Sequence, residues 1–296
     1  MGFFDIFKKK DDITKELEQQ KETKELEAIQ KAGLHTVDDV RNQILEKTAM
    51  PCMMLELTNT KPGLLDSKVS GIGYVPHDGQ IPQNHEGKEL RLLAQIDCTK
   101  ITLEDFPHQG LLQFWILNDD VYGLDFEDNT RQDNFRVLYY PDVDKTVTEE
   151  EVRAKMHSDT LDDDYYFPVF DCYGLAFTAE TDTISACDCR FDSRIAELVE
   201  KYYPDEAEDL LDDPTDFEDE VKNGFGHKIG GYPGFTQWDP RSADDSHDVL
   251  LFQLDSDYGS EDKIMWGDSG IGNFFINREK LRRCDFSDVL YNWDCC

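Results

Sequence analysis

The sequence predicts an α+β fold, with a β core built from two related repeats, flanking helices and an N-terminal helical extension. Three observations predict this class. Helix-like stretches fill the first part of the chain, strand-like apolar runs with a period near two follow from Pro51 onward, and two segments share matched spacings. With 296 residues, 39% of them hydrophobic, the chain has enough apolar material for a sizeable core.

Residues 1–35 are expected to lie outside the main domain, which we place at residues 36–296. The N-terminus has a short apolar start followed by lysines, and its apolar residues are Phe3, Phe4, Ile6 and Phe7. This start is too short for a signal peptide, and it fits either weak contact with an anionic membrane surface or a frayed terminus. Residues 11–33 are rich in Lys, Glu, Gln and Leu without a continuous apolar stripe, which predicts an exposed helix.

The main domain begins with a predicted helix that Thr36 caps. Apolar runs then predict strands at residues 53–57, 90–96, 111–117, 135–140 and 167–177. Thr148 caps a short helix, and Asp192 or Ser193 caps a longer one that ends at Pro204. The helices therefore flank the strands instead of alternating with them, as in α+β folds.

The formal net charge is −34, from 30 basic and 64 acidic residues. Such a charge repels phosphate backbones, which excludes generic nucleic-acid binding, and it attracts basic partners. Residues 205–220 hold ten acidic residues and no basic one, which predicts a solvated connection or a docking segment for a basic partner. No run of 18 apolar residues occurs, so we expect no membrane span. Because the N-terminal start does not fit a signal peptide, we expect a cytoplasmic chain.

The common catalytic and metal-binding motifs are absent from the sequence. The eight cysteines include no Cys-x-x-Cys pair, and the seven histidines show no metal-ligand spacing. There is no Gly-x-Ser-x-Gly elbow, phosphate-binding glycine loop or His-Glu-x-x-His motif. We therefore expect reduced thiols, no metal site and no cofactor, and a binding protein more than an enzyme.

An internal repeat is predicted, with copies at about residues 64–130 and 222–290. In each copy a tyrosine precedes a strand glutamine by 21 residues, as Tyr74 precedes Gln95 and Tyr232 precedes Gln253. Aromatic and acidic residues follow at matched distances, pairing Phe114 with Phe274 and Asp125-Phe126 with Asp285-Phe286. We interpret the copies as duplicated units that share one β core.

Five motifs carry a family resemblance: Lys68-Val-Ser-Gly71, Leu93-Ala-Gln-Ile-Asp97, Gly110-Leu-Leu-Gln-Phe114, Gly226-His-Lys-Ile-Gly-Gly-Tyr-Pro233 and Trp266-Gly-Asp-Ser-Gly270. With them the chain resembles the YwqG family, also called the domain of unknown function 1963, over about residues 45–296. The resemblance implies a large mixed, mostly antiparallel sheet with two intertwined repeats. It implies no activity.

A candidate binding groove is predicted in the second repeat, around His227 and Asp268. Its predicted residues are Gln95, His227, Trp238, Gln253, Trp266 and Asp268. Tryptophan often concentrates binding energy, so we expect Trp238 and Trp266 each to keep part of the ring exposed. In the alternative interpretation both indoles fill the core and the two glutamines hold turns by hydrogen bonds.

Three function classes remain open. The first is a binding protein whose acidic surface steers a basic protein or peptide partner, and the bacterial setting of the resembled family makes toxin neutralisation a special case. The second is a hydrolase that uses His227 as a general base with Asp268. The third is a membrane-peripheral adaptor held by the apolar N-terminal residues.

Overall fold

The computed structural model describes residues 37–157, 166–205, 207–211, 221, 223–258 and 262–296. The predicted membrane-contact residues, the predicted exposed helix and most of the acidic connection lie outside these residues. The chain divides into two compact units, one of residues 1–48 and 192–220 and the other of residues 49–191 and 221–296.

The described residues form five α-helices, one 3-10 helix and ten strands. The helices are α1 (Val37–Glu46), α2 (Glu149–Arg153), α3 (Phe191–Tyr202), α4 (Ala207–Leu211) and α5 (Arg278–Arg282), and the 3-10 helix is Cys98–Lys100. The strands are β1 (Met50–Thr58), β2 (Lys68–Val69), β3 (Arg91–Asp97), β4 (Leu111–Ile116), β5 (Phe135–Tyr140), β6 (Tyr173–Asp182), β7 (His227–Gly230), β8 (Val249–Asp255), β9 (Ile271–Ile276) and β10 (Val289–Asp294). None of the described helices is long and apolar enough to cross a membrane.

The smaller unit contains the helices α1 and α4 and most of α3. Ile44 of α1 and Val199 of α3 are buried, which is expected of the apolar face of an amphipathic helix. The Tyr203 hydroxyl, just after α3, donates to Gln43 Oε1 of α1 at 2.9 Å. Helix α4 lies within the predicted acidic connection, so that part of the connection is helical.

The larger unit contains one ten-stranded sheet in the order β10-β9-β8-β7-β1-β6-β2-β3-β4-β5. We call β2–β5 the first strand set and β7–β10 the second. All nine neighbouring pairs of described strands are antiparallel, so the parallel component of the expected mixed sheet is not found among them. The reason is that consecutive strands lie side by side within each set without a crossover. At the centre β1 pairs with β7, and β6 pairs with β2.

The sheet buries side chains on both faces. Because neighbouring residues of a strand point to opposite faces, Phe114 lies in the main core while Trp115 lies in a smaller cluster. In the main core the Phe114 ring centroid lies 4.6 Å from that of Phe252 and 4.9 Å from that of Phe274. Since β4 is far from β8 and β9 in the strand order, the two strand sets must face each other across this core.

Candidate functional site

A pocket of about 500 Å³ lies at one end of the second strand set. The start of β7, the end of β8 and the start of β9 meet there, because these strands are antiparallel neighbours. We call it the His227 pocket, and the lining residues that bear on its chemistry are Phe225, His227, Asp255, Asp257, Tyr258 and Ser269.

His227 is the first residue of β7 and is largely buried in the pocket wall. Its Nδ1 accepts the backbone N–H of Asp255 at 3.0 Å, which requires the ring proton to be on Nε2. Burial lowers the pKa of His227 to about 4, against the opposing effect of Asp257. The ring is therefore neutral near pH 7, and its Nε2–H has no hydrogen-bond partner among the described residues.

Two carboxylates lie at the end of β8. Asp255 Oδ2 accepts the Gly226 N–H at 2.7 Å, and burial raises the pKa of the Asp255 carboxyl. Asp257 is more open, and its Oδ2 lies 3.6 Å from the Nζ of Lys263. The pocket thus combines acidic groups with one neutral N–H donor, an arrangement that suits a cationic group next to a carbonyl.

Exposed aromatic rings accompany these polar groups. Phe225 is 44% exposed and Tyr258 is 56% exposed, and both line the pocket. Exposed aromatic side chains at a concave acidic site are typical of a binding surface. Ser256 has a structural role, since its hydroxyl donates to the Gly270 carbonyl at 2.8 Å and accepts the Trp266 N–H at 3.0 Å.

The two predicted glutamines do not line the His227 pocket; they hold turns. Gln253 accepts the Gly234 N–H at 2.9 Å and donates to the carbonyls of Gly224 and Gly226 at 2.8 and 2.7 Å. Gln95 likewise accepts one backbone N–H and donates to two carbonyls. Both amides are fully buried, so their hydrogen bonds replace those that water would make.

The two predicted tryptophans differ in exposure. Trp238 is 70% exposed, whereas Trp266 is fully buried. The Trp266 ring centroid lies 5.4 Å from that of Tyr122 and 6.3 Å from that of Trp293. The expectation of partial exposure is therefore wrong for Trp266, because neighbouring aromatic rings cover it. Neither Trp238 nor Trp266 lines the His227 pocket.

Asp268 lies exposed on the turn before β9, where its carbonyl accepts the Cys296 N–H at 3.3 Å. Its carboxylate makes no ion pair with His227, whose side chain instead accepts the Asp255 N–H. Of the six predicted site residues, His227 is the one that lines the pocket. The predicted pairing of His227 with Asp268 is therefore absent from the described geometry.

Comparison with known families gives a match over residues 67–295, to a family described as a domain of unknown function, DUF1963. The matched residues include both strand sets and the acidic and aromatic residues of the His227 pocket. The chain belongs to the DUF1963 family. A search of curated proteins found no match.

Among the described residues of this DUF1963 chain, one cluster has residue types that ligate metals, namely Asp188, Cys189 and Asp239. Arginines already neutralise it. Arg190 Nη2 donates to Asp188 Oδ2 at 2.6 Å, and Arg241 Nη2 donates to Asp239 Oδ2 at 2.7 Å. A cation would have to displace both guanidinium groups, so we interpret the cluster as a buried ion-pair network that fixes this part of the chain.

Sequence reasoning did not identify four residues of the pocket as site residues: Phe225, Asp255, Asp257 and Tyr258. The sequence feature that could have indicated Asp255 and Asp257 is their position at the end of a predicted strand. Asp255 and Asp257 come at the end of a buried strand whose partner strand begins at His227, so pairing of β7 with β8 brings them to the same edge. A search for metal-ligand spacing in these acidic residues does not detect this arrangement.

Proposed function

We propose that this DUF1963 protein is a non-enzymatic binding protein that accepts a basic side chain of a protein or peptide partner in the His227 pocket. The observation that carries the proposal is the pair of carboxylates, Asp255 and Asp257, beside the exposed rings of Phe225 and Tyr258. A lysine or arginine head group is attracted by both, since carboxylates pair with the cation and aromatic faces attract it.

The protonation state of His227 fits a peptide partner. A neutral ring does not repel a bound cation, and burial keeps the pKa of His227 well below pH 7. Its Nε2–H is available to donate to a backbone carbonyl next to the basic side chain. Cation and carbonyl together are the features of a peptide segment.

The charge of the whole chain supports a basic partner. A net charge of −34 speeds the encounter with a cationic protein and disfavours acidic competitors. A basic toxin would be one such partner. We propose a cytoplasmic location, and the eight free cysteines support it, because free thiols persist in reducing compartments.

The alternative functions have less support. A hydrolase would use His227 as a general base, but a base whose pKa is about 4 accepts protons weakly near pH 7. No serine, threonine or cysteine side chain donates to His227 among the described residues. The membrane-peripheral adaptor rests on N-terminal residues outside the described part of the chain, and it stays a proposal without structural support.

We infer that the strand sets arose by internal duplication and form intertwined repeats. Lys68 pairs with Gln95 across β2 and β3, and Lys228 pairs with Gln253 across β7 and β8. The strand before each set pairs with the other set, since β1 lies against β7 and β6 lies against β2. These matched pairings support an exchange of one strand between two related units.

Fluorescence anisotropy tests the binding proposal. The probe is a labelled glycine-rich peptide with blocked termini and one central arginine, and the comparison peptide carries citrulline, which has the same shape without the charge. We expect the arginine peptide to bind at least roughly tenfold more tightly, as expected for a charge-assisted hydrogen bond. Equal binding of both peptides would refute the proposal.

Asp257→Asn should weaken binding of the arginine peptide several-fold, because it removes the more open carboxylate with little change in shape. The matched control is Asp142→Asn, which removes one exposed carboxylate outside the pocket. If both variants weaken binding equally, the attraction comes from the net charge and not from the His227 pocket.

A further inference from the structure

A second cavity, of about 290 Å³, lies beside β2 and β3 in the first strand set. The basic residues that line it are Lys61, Lys68, Arg91 and Arg153, and the acidic ones are Glu149 and Asp171. In the whole chain acidic residues outnumber basic ones by 64 to 30, so this cavity reverses the prevailing charge. We call it the Lys68 cavity.

Lys68 is a buried cation without a carboxylate partner. It is 2% exposed, and its Nζ donates to three backbone carbonyls at 2.6, 2.9 and 3.1 Å. The corresponding lysine of the second strand set, Lys228, has its Nζ 3.1 Å from Asp182 Oδ2. No carboxylate lies within ion-pair distance of the Lys68 Nζ among the described residues. Buried charges are normally paired, whereas the two acidic residues of the cavity, Glu149 and Asp171, lie beyond ion-pair distance of the Lys68 Nζ.

Cys172 lines the same cavity but does not provide that charge. Its Sγ donates to the Ser70 carbonyl at 3.6 Å, as a protonated thiol does. Burial raises the pKa of the Cys172 thiol, and this effect exceeds the lowering by Lys68. The thiol is therefore neutral near pH 7 and adds no negative charge to the cavity, whose basic residues outnumber its acidic ones by four to two.

Ser70 offers a hydroxyl to the cavity. It is 8% exposed and lines the cavity, and its hydroxyl has no hydrogen-bond partner among the described residues. The oxygen stays accessible to solvent, so the hydroxyl is available to donate to a bound anion. Its φ of 59° is unusual for a residue other than glycine, so the fold holds this serine in a strained conformation at the cavity wall.

We propose that the Lys68 cavity binds the phosphate group of a small phosphorylated molecule. The Ser70 hydroxyl and the Arg153 guanidinium line the cavity as donors, and a guanidinium suits the oxygens of a phosphate. Lys61 and Arg91 add positive charge to the same cavity. Lys68 contributes charge without a direct bond, because its three N–H groups are already used.

The size of the cavity and its rim indicate the rest of the ligand. A volume of about 290 Å³ is near the lower limit for small-molecule sites, so it accommodates a phosphate with a small organic group. Phe170 lines the cavity and is 54% exposed, which provides an apolar surface for that group. Arg153 shares one nitrogen with Glu149 at 2.9 Å and keeps other N–H groups for the ligand.

Isothermal titration calorimetry on the full chain tests the proposal, with inorganic phosphate and glycerol phosphate as probes at constant ionic strength. We expect both to bind, and glycerol phosphate at least as tightly as inorganic phosphate. The double variant Lys61→Gln/Arg153→Gln should weaken binding at least roughly tenfold, since it removes two exposed basic groups of the cavity without touching the core.

The matched control is Lys88→Gln/Arg131→Gln, which removes two exposed basic groups outside the cavity. Ser70→Gly removes the hydroxyl while allowing the positive φ, and it should also weaken binding. Absence of phosphate binding, or equal weakening by the two double variants, would overturn the proposal. Exclusion of glycerol phosphate while inorganic phosphate binds would overturn the assignment to an organic phosphate.

Discussion

Replacing Gln253 by Met should destabilise the larger unit strongly, because the amide satisfies three backbone groups in the interior. Gln253 is fully buried, accepts the Gly234 N–H and donates to the carbonyls of Gly224 and Gly226. Each buried polar group left without a partner costs about 1–3 kcal/mol, whereas Met fills a similar volume. Three such groups predict a fall of at least about 3 kcal/mol in the free energy of unfolding.

Denaturant unfolding followed by tryptophan fluorescence and circular dichroism measures this loss, and equal slopes in the compared variants are required. The control is Gln109→Met, because Gln109 is exposed and its side chain makes no hydrogen bond among the described residues. A change within about 0.5 kcal/mol for Gln253→Met, the usual range for a surface substitution, would refute the structural role of the amide.

Two further outcomes follow from burial. The pKa of His227 is about 4 in the fold and 6.5 in the unfolded chain, so its contribution to stability is complete above pH 6.5 and is lost as the pH falls through 4. The shift corresponds to about 3 kcal/mol in the free energy of unfolding. His227→Asn keeps an acceptor for the Asp255 N–H and should reduce the acid-induced drop in the midpoint of denaturant unfolding. An unchanged drop would contradict a buried neutral ring. Trp238 is 70% exposed and Trp266 is 0% exposed, so Trp238→Phe should remove most of the fluorescence that acrylamide quenches, and Trp266→Phe should preserve it. Equal quenching in both variants would contradict these exposures.

Apolar runs predicted two of the six-residue strands accurately. The predicted strands at 111–117 and 135–140 correspond to β4 and β5, because both runs are apolar enough to be buried in the sheet. The strand predicted at 167–177 is displaced, since β6 begins only at Tyr173. Phe167 and Val169 are buried, but Val169 forms only an isolated bridge. Apolar residues predict burial, whereas a strand also needs a continuous hydrogen-bonded neighbour.

One predicted correspondence, Asp125-Phe126 with Asp285-Phe286, does not hold in the packing. Both aspartates accept the N–H two residues later, so the local turns agree. Phe286 is nevertheless buried and its ring lies 5.6 Å from that of Tyr139, whereas Phe126 is 77% exposed. The segment between β4 and β5 is longer than the segment between β9 and β10, so equal spacing along the chain does not lead to equivalent positions.

At the strand position of the His227 pocket both strand sets have a hydrogen bond from the backbone N–H of an aspartate, but the side chain that accepts this hydrogen bond differs between the sets. In the first set the Asp97 N–H donates to Ser67 Oγ at 2.8 Å, and in the second the Asp255 N–H donates to His227 Nδ1 at 3.0 Å. Histidine meets the same need for an acceptor and adds a second nitrogen.

The residues that follow these strands decide what the extra nitrogen can contact. After β3 a 3-10 helix places Cys98 in the interior, fully buried. Residues 256–258 after β8 form no such helix and instead line the His227 pocket. Matching the two strand sets by sequence finds Gln95 and Gln253, because both perform the same structural task. It does not find the pocket, because the pocket side chains occupy positions where the two sets differ although the backbone N–H donates in both.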